Sequence, residues 1–312
     1  MANNRFSDDV LATERISAVI GGHTVSAAVQ PKCGANLVSL NVNGQEYLFY
    51  DASFLRGPDE MYTGCFVMFP TPCRVPDGQY EFQGRKIKQV KRGRLEPIHG
   101  LVRDETFVFS RTDASITLSL DITPGHPVYE GFPFPGRLTV AIALIERGLA
   151  YSFQYYNTGK TDAPVGFGLH PFWRVPGRGK TYIKVPCSQT VDLENLIPTG
   201  EATSVDGTPF DLRQLRCLAD LDVDNVWIGR SKEPAVLEFR DMGTRLTLTA
   251  DDVFSHQIVY APPGKPFVCL ENLTCAPNAV NLQSAPVEVS GLRIVPPGGI
   301  LAGTTRFVVE KL

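Results

Sequence analysis

The chain has 312 residues, of which 43% are hydrophobic and 20% are charged, and its formal net charge is −3. This length allows one large β domain or two ordinary ones with a sizeable core, and the composition is typical of a soluble globular protein. The charge balance and the lack of a long basic run argue against nucleic acid or another polyanion as a partner. No run approaches the roughly 20 apolar residues of a spanning helix, so no membrane interaction is expected.

The N-terminus and the cysteines point to the cytoplasm. Residues 1–9 are polar and lack the apolar segment of a signal peptide. The seven cysteines are odd in number and show neither a CxxC pair nor a zinc-ligand spacing. Reduced thiols in a cytoplasmic protein are therefore expected.

Short strand-like segments follow one another along the chain. Twenty-four prolines and 28 glycines separate them, as is typical of many strands joined by turns. Asn43-Gly44 and Gln83-Gly84 predict hairpin turns. In the first half, strands are predicted at 15–20, 24–30, 37–42, 45–50, 79–82, 85–89, 106–110, 116–122, 137–145 and 150–156.

Strand signals continue past the midpoint without a linker. They are found at 182–185, 226–228, 235–240, 245–249, 257–260, 293–295 and 305–309. Residues 66–76, which are irregular and rich in proline, predict a surface loop, and 211–218 is the only candidate for a short helix. The pattern predicts one all-β domain over residues 1–312. A two-sheet sandwich and a closed barrel both remain open, because either lets each sheet bury one face.

Two stretches contain the strongest candidates for chemistry. Glu271 follows the apolar residues 268–270, so we expect it where a buried strand gives way to a polar loop. His170 lies in the middle of a second strand-like stretch, 168–173. A carboxylate and an imidazole in one cleft are the smallest set that can move a proton from one atom to another. The Gly, Phe and Trp residues around His170 fit an aromatic platform under a sugar ring or plain core packing.

Three further groups suit the binding of sugar hydroxyls. Arg74 offers a fork of donors. His99 precedes a glycine, where a ligand could approach the backbone closely. Asp222 and Asp224 would share one face if a strand already begins there, so their spacing does not choose between them. The alternatives are a solvated arginine, a structural histidine and two solvated acids.

Three well-known binding or catalytic motifs are incomplete or absent. The sequence Gly-Arg-Gly-Lys-Thr at 177–181 ends like a phosphate-binding loop, but position 174 is arginine instead of the first required glycine. The chain contains no HExxH zinc motif and no GxSxG nucleophile elbow. His23, His126 and His256 are interpreted as structural or surface residues, and no metal site is expected.

Taken in chain order, several stretches of the sequence resemble the aldose 1-epimerase (galactose mutarotase-like) family. The resemblance extends from about Gly22 to the C-terminus. The matching stretches are 31–40, Cys73-Arg74 with 78–84, His99-Gly100, 131–144, 168–173, 198–201 through 207–211, 224–227 and 268–281. The resemblance implies an antiparallel β-supersandwich with few short helices. It also implies interconversion of sugar anomers without a cofactor.

The resemblance assigns roles to individual residues. Glu271 corresponds to the catalytic base and His170 to the general acid, the latter as an imidazolium with a reference pKa of roughly 6.5. Arg74, His99 and Asp224 correspond to residues that hold hydroxyls.

Asp224 is preferred over Asp222 because the family has an aromatic residue shortly after the acid, and Trp227 fits. Cys73 stands where the family commonly has asparagine, and Leu169 also replaces an asparagine. These departures make galactose itself a doubtful substrate. A related branch acts on hexose 6-phosphates, and Arg103 or Arg174 could serve a phosphate.

The expected function is therefore that of an aldose 1-epimerase in carbohydrate metabolism, acting on a hexose or related aldose. A small sugar is the expected partner, and the chain is expected to be a monomer or weak homodimer. The alternatives are a hexose-6-phosphate 1-epimerase, a glycoside hydrolase that uses Asp224 and Glu271, and a non-catalytic carbohydrate-binding protein.

Overall fold

A computed structural model describes residues 6–56 and 62–312. The strands of the first half are β1 (Glu14–Ile20), β2 (His23–Gln30), β3 (Asn36–Val42), β4 (Gln45–Glu46), β5 (Cys65–Met68), β6 (Gln79–Phe82), β7 (Arg85–Lys88), β8 (Val90–Lys91), β9 (Arg94–Leu95), β10 (Val108–Arg111), β11 (Ser115–Ile122), β12 (Gly136–Ile145) and β13 (Gly148–Asn157). Those of the second half are β14 (Ala163–Val165), β15 (Gly168–Arg174), β16 (Thr181–Lys184), β17 (Cys187–Glu194), β18 (Ile197–Ser204), β19 (Arg216–Cys217), β20 (Asp224–Arg230), β21 (Ala235–Phe239), β22 (Thr244–Ala250), β23 (His256–Tyr260), β24 (Phe267–Leu273), β25 (Arg293–Val295) and β26 (Ile300–Lys311). The α-helices in these ranges are short, namely α1 (Ala52–Arg56), α2 (Pro127–Gly131) and α3 (Val287–Ser290). The predicted all-β class with few short helices is confirmed.

Two large antiparallel sheets pack face to face. The larger sheet has the order β1-β2-β3-β5-β15-β24-β23-β20-β17-β18, with β4 beside β3. The smaller has the order β10-β11-β12-β13-β26-β22-β21-β16-β19. Apolar residues of both sheets form one buried cluster, in which the ring of Trp173 meets that of Phe307 at 4.9 Å. Of the two architectures open from the sequence, the chain adopts the sandwich.

Both faces of the larger sheet are covered by apolar side chains. On β15, Leu169 and Trp173 belong to the cluster between the sheets. Phe172 belongs to a second cluster, which also contains Phe66 and Ile258. Since successive side chains of a strand point to opposite faces, this second cluster lies on the outer face of the sheet. His170 shares the face of Phe172, and the candidate site is built there.

The prediction of a surface loop at 66–76 is right about the irregular backbone of 69–75 but wrong about its first three residues and about exposure. Its first residues belong to β5, which pairs with β15 inside the larger sheet, and Phe69 and Val75 are also buried. All four residues of β5 are buried. A strand covered on both faces lacks the polar alternation that identifies a half-buried one, and the prolines that follow it favoured a loop.

Three other local predictions fail. The strand expected at 45–50 is limited to Gln45–Glu46, and the helix expected at 211–218 is replaced by an irregular segment that ends in β19. The hairpin of β17 and β18 is missing from the predicted strands. Its residues are mostly polar and their burial does not alternate regularly, so the sequence lacks the period of two that identifies a half-buried strand.

Candidate active site

The register of two central strands places an imidazole beside a carboxyl group. Phe172 of β15 lies opposite Cys269 of β24 in an antiparallel ladder. His170 lies two residues before Phe172, and Glu271 lies two residues after Cys269. In an antiparallel ladder, His170 and Glu271 therefore lie opposite each other. The Nε2 atom of His170 is 3.4 Å from Oε1 of Glu271. The structure thus brings together two residues that are far apart in sequence.

Glu271 lies within β24 and not in a loop after it, so that part of the prediction is wrong. The strand continues to Leu273, and Glu271 also pairs with Ile258 of β23. The misleading signal is Asn272, which resembles a loop residue. Its amide is instead buried and hydrogen-bonded to Gln257 and Thr305. A carboxyl group in mid-strand is held by two neighbouring strands, which fixes its position.

Aromatic rings pack against the imidazole of His170. The ring of Phe66 stacks on it at 4.7 Å and 24°, and the ring of Phe172 at 4.7 Å and 15°. The ring of His99 approaches edge-on at 5.0 Å. Of the aromatic residues around His170, Phe172 lines the pocket and Trp173 packs in the core between the sheets.

His170 and Glu271 line a pocket of about 470 Å³. All five predicted site residues line it, namely Arg74, His99, His170, Asp224 and Glu271. Asp222 does not, which agrees with the preference for Asp224. Asp224 begins β20, beside Tyr260 of β23. Burial raises its pKa, against the opposing effect of the positive charge of Arg74.

A backbone hydrogen bond joins two residues of the pocket lining, His99 and Cys73. The N–H of His99 donates a hydrogen bond of 2.7 Å to the carbonyl of Cys73. Both residues have positive φ, 62° and 55° respectively, a conformation that is rare for residues other than glycine and is often found at ligand sites. The Nδ1 atom of His99 also lies 3.1 Å from the sulfur of Met68.

A comparison of Gly100 with Gly93 separates the effect of close packing from that of backbone conformation. Gly100 and Gly93 both have φ of 73°. A Cβ at Gly100 would lie 2.2 Å from the carbonyl oxygen of Phe69, whereas one at Gly93 would meet no atom within 4 Å. We therefore expect Gly93→Ala to lower the free energy of unfolding by about 1–2 kcal/mol, the penalty of the left-handed conformation. Gly100→Ala should lower it further, because backbone must move. Urea unfolding of both variants tests this, and equal losses would contradict it.

Burial disfavours the charged form of both members of the central pair. It raises the pKa of Glu271 well above its usual range, and the negative charge of Asp224 adds to the effect. Burial also lowers the pKa of His170 to about 3, helped by the positive charges of Arg103 and Arg74. The imidazolium expected at neutral pH is thus not the favoured form. In the neutral form that burial favours, the one transferable proton of the pair is on Glu271.

Each member of the pair has a free polar atom. Among the described residues, Oε2 of Glu271 and Nδ1 of His170 have no hydrogen-bond partner although they are buried. Buried polar atoms of this kind are uncommon in folded proteins. A substrate with hydroxyl groups could supply the missing partner of the carboxyl group.

Three arginines line the pocket, namely Arg74, Arg94 and Arg103. Arg103 is buried, with its guanidinium 3.0 Å from a carboxylate oxygen of Glu96 and 4.1 Å from the centre of the Tyr62 ring. Arg174, the other phosphate candidate, lines a different surface groove beside Glu46. Of the two basic residues considered for a phosphate, only Arg103 is placed where it could contact a ligand of this pocket.

Several pocket residues have no distinctive sequence signal. Phe66 belongs to the segment predicted as a loop, and Leu196 lies in the hairpin that was not predicted. Arg94 and Tyr260 also line the pocket. Tyr260 could have been identified from strand alternation, because it lies two residues after Ile258 on β23 and therefore shares its face. Nothing in the sequence singles out Arg94.

One group of side chains in the described part of the chain could hold a metal ion. The donor atoms of His170, Cys269 and Glu271 all lie within 4.8 Å of one another. Zinc accepts donors of these three types. Burial raises the pKa of the Cys269 thiol well above its usual range, which disfavours the thiolate that metals bind.

Comparison with known proteins identifies the family. A sequence model described as aldose 1-epimerase matches residues 19–308. The chain belongs to the aldose 1-epimerase family. The uncharacterized protein YihR of Escherichia coli K12 is 22% identical over 271 residues, covering 83% of this chain and 86% of that protein. The galactose mutarotase of Sus scrofa is 27% identical over 148 residues, which cover 45% of this chain and less than half, 42%, of that protein.

Solved structures show the same fold. A galactose mutarotase-like protein from Clostridium acetobutylicum superposes with a TM-score of 0.80 at 18% identity, covering 96% of this chain and 99% of that one. A galactose 1-epimerase from Lactobacillus acidophilus has a TM-score of 0.72 at 15% identity, with coverages of 96% and 99%. The predicted galactose mutarotase-like fold is confirmed. Membership of the aldose 1-epimerase family supports a general aldose epimerase activity. Within residues 6–56 and 62–312, none of the helices has the length and apolar character needed to cross a membrane.

Proposed function

We propose that this aldose 1-epimerase family member interconverts the α and β anomers of a hexose or related aldose by acid–base ring opening. The observation that carries the proposal is the contact of 3.4 Å between His170 Nε2 and Glu271 Oε1 in a pocket also lined by Arg74, His99 and Asp224. One proton donor and one acceptor, side by side among hydroxyl-binding groups, meet the minimal need of the reaction.

Ring opening takes a proton from the O1 hydroxyl and delivers one to the ring oxygen. Glu271 as carboxylate accepts the O1 proton, and His170 as imidazolium protonates the ring oxygen. The C1–O5 bond breaks as the C1=O1 bond forms. After rotation about C1–C2, closure on the other face of the carbonyl runs the transfers backwards. The pair begins and ends with one proton, so the cycle is balanced.

The protonation of the free pair fits one half of this cycle. A neutral imidazole beside a carboxylic acid is the form that ring opening produces and that ring closure consumes. Opening requires the proton to pass from Glu271 to His170 first. A bound sugar favours this transfer because its hydroxyls can donate to Oε2 of Glu271, which has no donor in the free pocket.

A hexose 6-phosphate is the second candidate substrate. It is favoured by the three arginines that line the pocket, Arg74, Arg94 and Arg103, since guanidinium groups bind phosphate well. The buried ion pair of Arg103 with Glu96 reduces the positive charge available to a ligand. The neutral aldose is therefore the first choice.

Polarimetry tests both candidates. Freshly dissolved single anomers of glucose, galactose and their 6-phosphates are followed with and without the protein. We expect faster change of optical rotation for at least one neutral hexose. Saturable binding without acceleration of any sugar would contradict the proposal and indicate a non-catalytic binding protein. Release of a reducing sugar from an aryl glycoside would indicate a glycoside hydrolase.

Asp224→Asn should act mainly on substrate binding. Asp224 lines the pocket as a hydroxyl acceptor and takes no part in the proposed proton transfers. Loss of a charged hydrogen bond of this kind is worth about 1.5–3 kcal/mol, so we expect KM to rise about 10- to 100-fold with kcat little changed. Initial rates over a range of sugar concentrations separate the two constants. A fall in kcat alone would show that Asp224 acts in the chemical step.

A further inference from the structure

The Gly-Arg-Gly-Lys-Thr segment at 177–181 carries an arginine whose guanidinium binds backbone carbonyls. The segment follows β15, includes one turn of 3₁₀-helix and does not line the active-site pocket. Arg178 donates hydrogen bonds of 2.7 to 3.2 Å to four carbonyls, those of Leu218, Leu221, Ala261 and Pro262. These four bonds are called here the Arg178 clamp. The segment that resembles the end of a phosphate-binding loop thus holds parts of its own chain.

The clamp joins two loops at one end of a pair of neighbouring strands. Two of the four carbonyls precede β20, and the other two follow β23. These strands are antiparallel neighbours, and the ladder between them ends at the pair of Asp224 and Tyr260. Just beyond that pair, the N–H of Ala261 donates a hydrogen bond of 2.8 Å to the carbonyl of Val223. Further out both chains are irregular, and there Arg178 connects them.

The sequence of these loops explains why a side chain is needed to join them. Pro262 and Pro263 have no backbone N–H, so the loop after β23 cannot use these residues as donors in a backbone ladder. Leu221 and Ala261 are buried, and buried carbonyls need a hydrogen-bond donor. A guanidinium presents several donors in a rigid planar fork, whereas an ammonium is a compact charge on a flexible stem. Arginine can therefore hold carbonyls of both loops in one geometry.

The clamp lies next to the part of the pocket that is expected to hold the sugar. Asp224 and Tyr260 both line the pocket, and each is within three residues of a carbonyl that Arg178 binds. A shift of either loop moves the end of the ladder and with it the carboxylate of Asp224. Arg178 also follows β15, the strand that carries His170. The clamp therefore links the strand of the acid–base pair to the residue proposed to hold a hydroxyl.

We propose that Arg178 is a positioning residue for sugar binding, which sets the place of Asp224 in the pocket through the loops before β20 and after β23. Arg178 itself does not touch the sugar. This inference rests on the proposed anomerase activity and on the role given there to Asp224. It assigns a function to a segment outside the pocket.

Arg178→Met tests the inference, because methionine keeps the apolar stem but has no donor for the carbonyls. A displacement of about 1 Å in a binding group can cost up to about 100-fold. We expect KM for a sugar that the wild type accelerates to rise about tenfold, with kcat changed less than about twofold. In the Asp224→Asn background the same substitution should change KM less than about twofold, since it acts through the carboxylate that is already lost. Polarimetric initial rates give both constants.

Arg230→Met is the matched control. Arg230 ends β20, the strand that Asp224 begins, and donates to the carbonyls of Ala250 and Asp251 at 2.8 and 3.2 Å. It is thus an arginine that binds loop carbonyls at the opposite end of the same strand, and it does not line the pocket. Arg230→Met should leave KM and kcat within about twofold of the wild type. An equal rise of KM in this variant would show general loosening of β20 and overturn the inference.

Arg178→Lys covers the case in which Arg178→Met does not fold. Lysine keeps the charge but cannot hold both loops with one fork, so its KM should lie between those of the wild type and the methionine variant. Melting curves identify the variants that are folded at the assay temperature. An unchanged KM in every folded Arg178 variant, or a rise of the same size in the Asp224→Asn background, overturns the inference while the anomerase activity stands. If the wild type accelerates no sugar, the proposed function fails and this inference fails with it.

Discussion

Glu271→Gln should lower kcat by about 10²–10⁴-fold while sugar affinity changes only a few-fold. The amide keeps the shape of the side chain but can neither accept the O1 proton nor return it. Because burial raises the pKa of Glu271 and so favours its neutral form, an uncharged amide fits the same environment. The fold should therefore be intact. Initial rates of optical rotation give kcat, and titration calorimetry gives the affinity.

His170→Asn should cause a loss of similar size, and the double variant should lose little more than either single one. Groups that act as one unit are not additive, because removing either disables the same transfer. Cys269→Ala is the control, since Cys269 lies two residues before Glu271 on the same strand face and does not line the pocket. It should retain kcat within a few-fold. Near-wild-type turnover in Glu271→Gln would remove Glu271 from the mechanism.

Local turn chemistry made much of the fold predictable. Asn43-Gly44 lies between β3 and β4, and Gln83-Gly84 lies between β6 and β7, as the hairpin signals predict. Prediction failed where burial occurs on both faces, as in β5, since the period of two disappears there. It also failed in the largely polar hairpin of β17 and β18. The sequence therefore identified the class and most of the long strands but missed three that line the pocket, namely β5, β9 and β17.

The site was predictable by residue type but not by geometry. Glu271 and His170 were identified as a possible pair, whereas only the pairing of Phe172 with Cys269 shows that they face each other. Their pKa values depend on burial, which the sequence does not reveal. The reference pKa of histidine, roughly 6.5, predicts an imidazolium form, whereas burial in the folded protein, where the rings of Phe66 and Phe172 pack against the imidazole, lowers the pKa to about 3.

The pH dependence of kcat/KM should have its acid limb well below the usual range for a carboxylate. This constant reports the free enzyme, and the reaction needs one proton on the pair of His170 and Glu271. A second proton enters at His170, whose pKa is about 3, so activity falls about tenfold per pH unit only below that value. The single proton is lost as pH rises through the raised pKa of Glu271. An exposed pair would instead have limbs near 4.3 and 6.5.

Measurement between pH 3.5 and 5.5, with the uncatalysed rate subtracted, separates the two cases. We expect kcat/KM to vary less than twofold, whereas an ordinary carboxylate limb near 4.3 lowers it about sevenfold by pH 3.5. Stability provides the control for unfolding. Since the folded pKa of Glu271 is raised, its stabilising contribution is complete below the unfolded pKa and is lost as pH rises through the folded one. His170, with a lowered folded pKa, contributes above pH 6.5 and loses its contribution as pH falls toward 3. Melting curves of Glu271→Gln should therefore show a smaller loss of stability at alkaline pH than the wild type, and the same loss at acid pH. An unchanged loss at alkaline pH would show that Glu271 ionises without cost in the folded protein.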